Sequence, residues 1–201
     1  HPWCDGRVRA LVSTRLSRAL TAVAVALLTA IAALALPAAG PASAEVPSEL
    51  NFSRYQPVNP DKFRSLGFND NGRHFLRAGY RSCQLGPQPG SVGCKGKPAT
   101  APPRTTGVAI VSAQSGPWWV PPNTTYRWGS RTGFRAPTLK VGQRVTVRDV
   151  VCARPSAGVM ACASPNRAFI VSRNWHKFYY PAGSKNHDNN PPARYLPKRL
   201  R

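Results

Sequence analysis

The acidic side chains that could take part in catalysis are few. After residue 44 there are six: Glu45, Glu49, Asp61, Asp70, Asp149 and Asp188. Five of them fall at a chain end, a helix start, a turn or a polar C-terminal segment, whereas Asp149 lies between two strand-like segments. Catalysis needs such groups brought together with a base or a nucleophile. We interpret Asp149 as a group that neutralises Arg148 or another nearby base, and not as a catalytic carboxylate.

The histidines show no spacing that indicates a metal site. His74, His176 and His187 are far apart, and no pair has the i, i+4 spacing of a metal-binding helix. The chain also lacks the H-x-E, C-x-x-C and G-x-S-x-G motifs. The sequence therefore predicts no catalytic residue, no metal and no cofactor. A site assembled only in the folded chain stays open as an alternative.

Four cysteines after residue 44 are predicted to form two disulfides, Cys83–Cys94 and Cys152–Cys162. Gaps of ten and nine residues are too long for zinc knuckles. Each pair is centred on residues typical of a hairpin turn, 87–90 for the first and 156–158 for the second. Both pairs have a glycine four residues before the second cysteine, which leaves an internal duplication and a coincidence open.

Tryptophan side chains could stack on sugar rings or bases, because each has a flat apolar face and one donor. Trp118 and Trp119 are adjacent, so on an extended strand they point to opposite faces and only one can belong to the core. One of these two is the candidate for stacking. Trp128 and Trp175 are assigned to the core.

The N-terminal 44 residues have the features of a signal peptide: a basic leader, an apolar run over residues 19–36 and a small-residue site, Ala42-Ser43-Ala44. An uncleaved membrane anchor is the rival interpretation. This segment holds four basic residues and one acidic residue, so the other 157 residues keep 24 and six, a net charge of +18. An even cysteine count in an exported chain indicates an oxidising compartment, secreted or in the cell envelope.

A charge this large predicts either solubility or a polyanionic partner. The residues predicted to contact such a polymer are the main basic residues of this surface: Lys95, Lys97, Arg104, Arg127, Arg131, Arg135, Arg144, Lys198, Arg199 and Arg201. The proline-rich segment 95–104 is predicted to be a long loop.

Short alternating segments separated by turns predict an all-β domain over residues 45–181, with minor short helices at 60–66 and 173–179. The closure is a small open barrel or a sandwich, built from hairpins linked by disulfides. In segment 145–171 the apolar positions change parity near Asp149, which predicts a β-bulge there. Residues 182–201 are polar, proline-rich and basic, and are predicted to form a disordered basic tail.

The order of parts in residues 139–172 resembles a group of small exported actinobacterial, notably mycobacterial, proteins of unassigned function. The features that carry it are Leu139-Lys140-Val141-Gly142, a strand into Cys152, then Gly158, Cys162 and Ala168-Phe169-Ile170-Val171-Ser172. The resemblance covers about a third of the chain after residue 44. It implies export and paired hairpins, and it carries over no catalytic residue.

Two hypotheses follow from these patterns. The first is a non-catalytic cell-envelope or extracellular protein that binds anionic polymers, such as envelope phosphate polymers or nucleic acid, through its basic surface. The second is a secreted hydrolase or inhibitor. A concave pocket that holds Asp149 with a histidine would favour the second hypothesis, and a smooth basic face would favour the first.

Overall fold

A computed structural model describes residues 46–124, 126–184 and 189–201. The predicted signal peptide, residues 1–44, lies outside the described residues. Within the described residues, no helix is long and apolar enough to cross a membrane. Strands and short 3-10 turns make up the regular structure of this part of the chain, so the all-β prediction is confirmed.

The strands form two sheets. A five-stranded antiparallel meander contains β2 to β6, and a six-stranded sheet contains a second meander, β7 to β11, with β1 added in parallel beside β7. In chain order the strands are β1 Gln56–Val58, β2 His74–Ala78, β3 Arg81–Leu85, β4 Val92–Lys95, β5 Gly107–Ile110, β6 Trp118–Val120, β7 Gln143–Val147, β8 Val150–Ser156, β9 Val159–Ser164, β10 Arg167–Val171 and β11 His176–Tyr179. Side chains from both sheets form one buried core, the arrangement of a sandwich.

The two five-stranded meanders carry equivalent rows of core residues. Each row crosses its meander through directly paired positions: Leu76, Cys83, Cys94, Val108 and Trp119 in the first, and Val145, Cys152, Cys162, Phe169 and Phe178 in the second. Both disulfides, Cys83–Cys94 and Cys152–Cys162, join the second and third strands of their meander and are fully buried. The predicted pairing is confirmed. The matching strand order and disulfide position support the duplication hypothesis.

The hairpin details differ from the prediction. β7 and β8 pair through Val147 and Val150, so Arg148 and Asp149 form a two-residue turn instead of a bulge. A two-residue turn changes the parity of the apolar positions just as a bulge does, which explains the error. The bulge lies later, where the register shifts between Ala153 and Ser156. Because Ser156 pairs with Val159, that hairpin loop has two residues, and its Gly158 adopts a φ of +77°.

Both predicted helices are corrected. The first is a 3-10 turn over Pro60–Phe63, where the Asn59 side chain accepts a hydrogen bond from the Asp61 amide at 2.8 Å. The second prediction is wrong, because His176–Tyr179 is strand β11. Trp175 and Tyr179 are four residues apart, a spacing that places two side chains on one face of a helix and equally on one face of a strand. The remaining 3-10 turns are Ser48–Leu50, Phe52–Arg54, Phe68–Asp70, Ala193–Tyr195 and Lys198–Leu200.

The C-terminal segment is not a disordered tail where the structure describes it. Residues 189–201 contain two 3-10 turns, and Leu196 and Leu200 are buried against Ala161 and Ile170. Arg199 Nε donates to Glu49 Oε1 at 2.8 Å. Two leucines and one ion pair are enough to hold a segment whose prolines already restrict the backbone. Residues 185–188 of the predicted tail lie outside the described residues.

Candidate binding surface and adjacent cleft

The described part of the chain contains four carboxylate side chains, and two of them are buried in ion pairs. Glu49 is bound by Arg199 and Asp70 by Arg127. Glu49 is 3% exposed and Asp70 is fully buried. A charge removed from water needs such a partner, because desolvation alone strongly disfavours it. Their negative charges therefore do not offset the basic surface elsewhere.

Asp70 is the centre of a hydrogen-bond network that the sequence did not indicate. Its carboxylate accepts from the Ser65 hydroxyl at 2.6 Å, the Thr132 hydroxyl at 2.8 Å and the Arg131 amide at 2.9 Å, and also from Ser130 and Arg127. Burial would raise the pKa of Asp70, but the hydrogen bonds of Ser130, Ser65, the Arg131 amide and Thr132 outweigh it and hold that pKa well below its usual range. The signal in the sequence was the run of donors at residues 127–132.

The other two carboxylates, Asp61 and Asp149, line one cleft of about 530 Å³. The cleft lies where the β7–β8 turn of the six-stranded sheet meets the β3–β4 loop and the turn before β2. Arg64, His74 and Arg148 line it as well. The fold thus brings Asp149 and a histidine into one concave site, which is the arrangement expected for the second hypothesis.

Asp149 holds a loop in place. Its Oδ1 accepts a hydrogen bond from the Gly90 amide at 2.9 Å, and Arg148 Nη1 donates to the Pro87 carbonyl at 3.1 Å. Both bonds join the β7–β8 turn to the β3–β4 loop, so they fix one wall of the cleft. Among the described residues the two ion pairs are those of Asp70 and Glu49, so Asp149 forms no ion pair with Arg148. That Asp149 neutralises another nearby base stays a prediction.

His74 is half-buried at the side of the cleft, and its Nδ1 is buried without a hydrogen-bond partner among the described residues. Burial lowers its pKa first, the charge of Arg64 lowers it further, and Asp61 opposes both. The imidazole is therefore neutral at neutral pH. Asp61, and not Asp149, supplies the carboxylate charge that acts on it.

The ten residues predicted to contact an anionic polymer differ in exposure and in their protein partners. Lys95, Lys97 and Arg104 are exposed, Lys95 as the last residue of β4 and the other two in the β4–β5 connection. The predicted long loop is therefore confirmed except at Lys95. Arg131, Arg135, Lys198 and Arg201 are exposed elsewhere. The other three have protein partners: Arg127 and Arg199 in the ion pairs, and Arg144, whose Nε donates to the Tyr55 carbonyl at 3.2 Å. Arg64 and Arg148 were missed, because only the fold places them at the cleft.

The predicted opposition of Trp118 and Trp119 is confirmed by strand β6. The Trp119 ring packs in the core, and its centroid is 4.8 Å from the centroid of the Phe178 ring and 4.6 Å from that of the His176 ring. Both side chains are half-buried, but only Trp119 packs against the main core, and Trp118 Nε1 donates to the Ser115 hydroxyl at 2.9 Å. Trp118 is thus the candidate of the two for stacking, and that role stays a prediction.

Comparison with protein-family models, with curated proteins and with solved structures gave no match. The resemblance to exported actinobacterial proteins therefore stays a prediction.

Proposed function

We propose that this chain is a secreted, non-catalytic cell-envelope or extracellular protein that binds anionic polymers through its basic surface. The observation that supports it most is the placement of the acids. Each described carboxylate is either buried in an ion pair or located in one cleft. Among the described residues, Lys95, Lys97, Arg104, Arg135, Lys198 and Arg201 are exposed and form no ion pair. An anionic polymer such as an envelope phosphate polymer or nucleic acid would be attracted to this positive surface.

The two disulfides indicate an oxidising, extracytoplasmic environment. Secretion through the predicted signal peptide belongs to the proposal. The binding we propose is weak and without sequence preference, because its free energy comes from releasing the counterions condensed on the polymer.

Duplex DNA is a convenient probe of this surface. We expect the purified domain to bind it at low salt, with log affinity falling by about 0.9 per phosphate contacted for each unit of log salt. The triple variant Lys95→Gln, Lys97→Gln, Arg104→Gln removes three exposed charges from the end of β4 and the loop that follows it. Its slope should be less negative by up to about 0.9 for each charge that contacts a phosphate. Fluorescence anisotropy across a salt series measures both slopes.

The matched control keeps the charges and changes the side chains, as Lys95→Arg, Lys97→Arg and Arg104→Lys. Its slope should equal that of the unmodified domain. Substitutions are preferable to deleting residues 182–201, because the deletion would uncover the core around Leu196 and Leu200. Affinity that is undetectable at low salt, or independent of salt, would show that the charge serves solubility alone.

A second candidate, a secreted hydrolase, is favoured by one observation: the cleft holds His74 with Asp61 and Asp149 beside two arginines. A neutral imidazole can accept a proton at neutral pH, and arginines can orient an anionic substrate. Against a histidine–aspartate pair, Asp149 binds the Gly90 amide and Asp149 is not a source of the shift in the pKa of His74.

Turnover of a chromogenic phosphate, ester or glycoside substrate would test this candidate. If the cleft is catalytic, we expect His74→Gln to reduce kcat by about 10²–10⁴-fold, the usual contribution of a general base. Lys140→Gln, an exposed residue outside the cleft lining, is the control and should leave kcat unchanged. Turnover that His74→Gln does not alter would exclude the cleft as the catalytic site.

A further inference from the structure

The segment between the Pro60–Phe63 turn and β2 exposes two large apolar side chains that are two positions apart in sequence. Leu66 is 87% exposed and Phe68 is 95% exposed, the two highest values among the large hydrophobic residues described. Isolated exposed apolar side chains are ordinary on protein surfaces. Two almost fully exposed large apolar side chains in one short segment are unusual and indicate an interaction site. Residues 65–72 are called the apolar tip below.

The backbone of the apolar tip is held in place by hydrogen bonds to Asp70 and by the packing of Gly67. The Asp70 carboxylate accepts from Ser65 within the tip and from Ser130 and Thr132 across it. Gly67 lies against Thr132 so closely that an added Cβ would be 2.2 Å from the Thr132 hydroxyl oxygen. A segment fixed by a buried carboxylate and a glycine contact presents Leu66 and Phe68 outward without a further loss of backbone entropy on binding.

The surroundings of the apolar tip are basic. Arg73 Nη1 donates to the Asp70 carbonyl at 3.1 Å, and Arg127 Nη1 donates to the Asn69 carbonyl at 2.7 Å. Arg64 and Arg131 are exposed next to the tip, and Arg64 also lines the cleft that holds Arg148. The one carboxylate inside the tip, Asp70, is buried and paired.

Exposed apolar side chains surrounded by arginines are typical of a protein that binds the surface of an anionic membrane. Insertion at the boundary between headgroups and acyl chains gains free energy from the apolar area it buries, and basic residues add attraction to anionic lipids. We propose that the apolar tip docks this protein on an anionic lipid surface, with Leu66 and Phe68 inserted and the flanking arginines on the headgroups. This partner goes beyond polymer binding, because a soluble polyanion gives the two apolar side chains nothing to bury against.

Flotation with phosphatidylcholine vesicles, with and without phosphatidylglycerol, tests the proposal on the full domain. We expect binding only to the vesicles that contain phosphatidylglycerol. The double variant Leu66→Ala, Phe68→Ala should weaken that binding at least about tenfold. The matched control, Val111→Ala with Val141→Ala, trims two other exposed apolar residues, 48% and 51% exposed, and should bind as the unmodified protein does.

A second measurement reports insertion itself. Phe68→Trp should gain a blue-shifted fluorescence component on these vesicles, and brominated lipids should quench it. Because the side chains at 66 and 68 are exposed, the variants should keep both disulfides and the thermal midpoint of the unmodified protein.

Each remaining outcome is decisive. Equal vesicle binding by the unmodified, double and control proteins means adsorption by charge alone, which overturns this inference and leaves the proposed function standing. Binding to duplex DNA without any vesicle binding also overturns it and leaves the proposed function standing. Loss of both DNA and vesicle binding would remove the two proposals together.

Discussion

Replacing the Asp70 carboxylate, as Asp70→Ala, is expected to lower the free energy of unfolding by about 3–5 kcal/mol, the usual cost of breaking a buried ion pair. The substitution leaves Arg127 without its counter-charge, and it leaves the hydroxyls of Ser65, Ser130 and Thr132 without their common acceptor. Urea denaturation followed by tryptophan fluorescence measures the change. The control is Asp61→Ala, an exposed acid at the cleft, which should change stability by no more than about 0.5 kcal/mol.

The same residue gives the protein a defined acid sensitivity. The pKa of Asp70 is lowered in the folded state, while its value in the unfolded chain is about 3.9. The unfolded chain therefore binds a proton first as the pH falls, so the stability from Asp70 is complete above about pH 4 and is lost progressively below it. Asp70→Asn should remove this part of the pH dependence. A mutant whose stability still falls with the slope of the unmodified protein between about pH 4 and pH 2 would contradict the assignment.

Removing one disulfide is the second large effect. The chain-entropy estimate for loops closed over 11 and 10 residues is roughly 2.8 kcal/mol each. We expect Cys152→Ala with Cys162→Ala to lower the free energy of unfolding by about that amount. The pair Cys83→Ala with Cys94→Ala should cost nearly the same, because the two bridges close similar loops at equivalent places in the two meanders.

Each disulfide variant is the control for the other. Urea denaturation of both variants, with the unmodified protein under oxidising and reducing conditions, gives the comparison. Peptide mapping without reduction checks the connectivity independently. A peptide that links Cys83 to Cys152 or Cys162 would contradict the pairing.

The cysteine pairing could be predicted because it depends on local turn chemistry. Both hairpins place a glycine with positive φ close before the second cysteine, Gly90 at +71° and Gly158 at +77°. The opposition of Trp118 and Trp119 was equally local, since the alternation of a strand fixes it. Residues 173–179 were mistaken for a helix because the spacing of four residues between Trp175 and Tyr179 suits either structure, and only the pairing of His176–Tyr179 with β10 decides between them.

The Asp70 network and the cleft could not be predicted, because they are made by residues distant in sequence. Asp70 contacts Ser130 and Thr132, about 60 positions away, and His74 lines the same cleft as Arg148, 74 positions away. The order of the C-terminal segment could not be predicted for the same reason. Its two leucines are too few to predict packing until Ala161 and Ile170 provide a surface for them.

The contact between Glu49 and Arg199 has a consequence for the order in which this domain assembles. The chain is made from its N-terminus, and Glu49 can form its ion pair only after Arg199, 150 residues later, has been made. Strand β1 can pair only after β7 has been made, because Gln56 pairs with Gln143. The first meander, β2 to β6, consists of strands that pair with their sequence neighbours, so it can form while the second is still being made. The segment that carries Glu49 and β1, although it is made before either meander, is therefore among the last to become fixed.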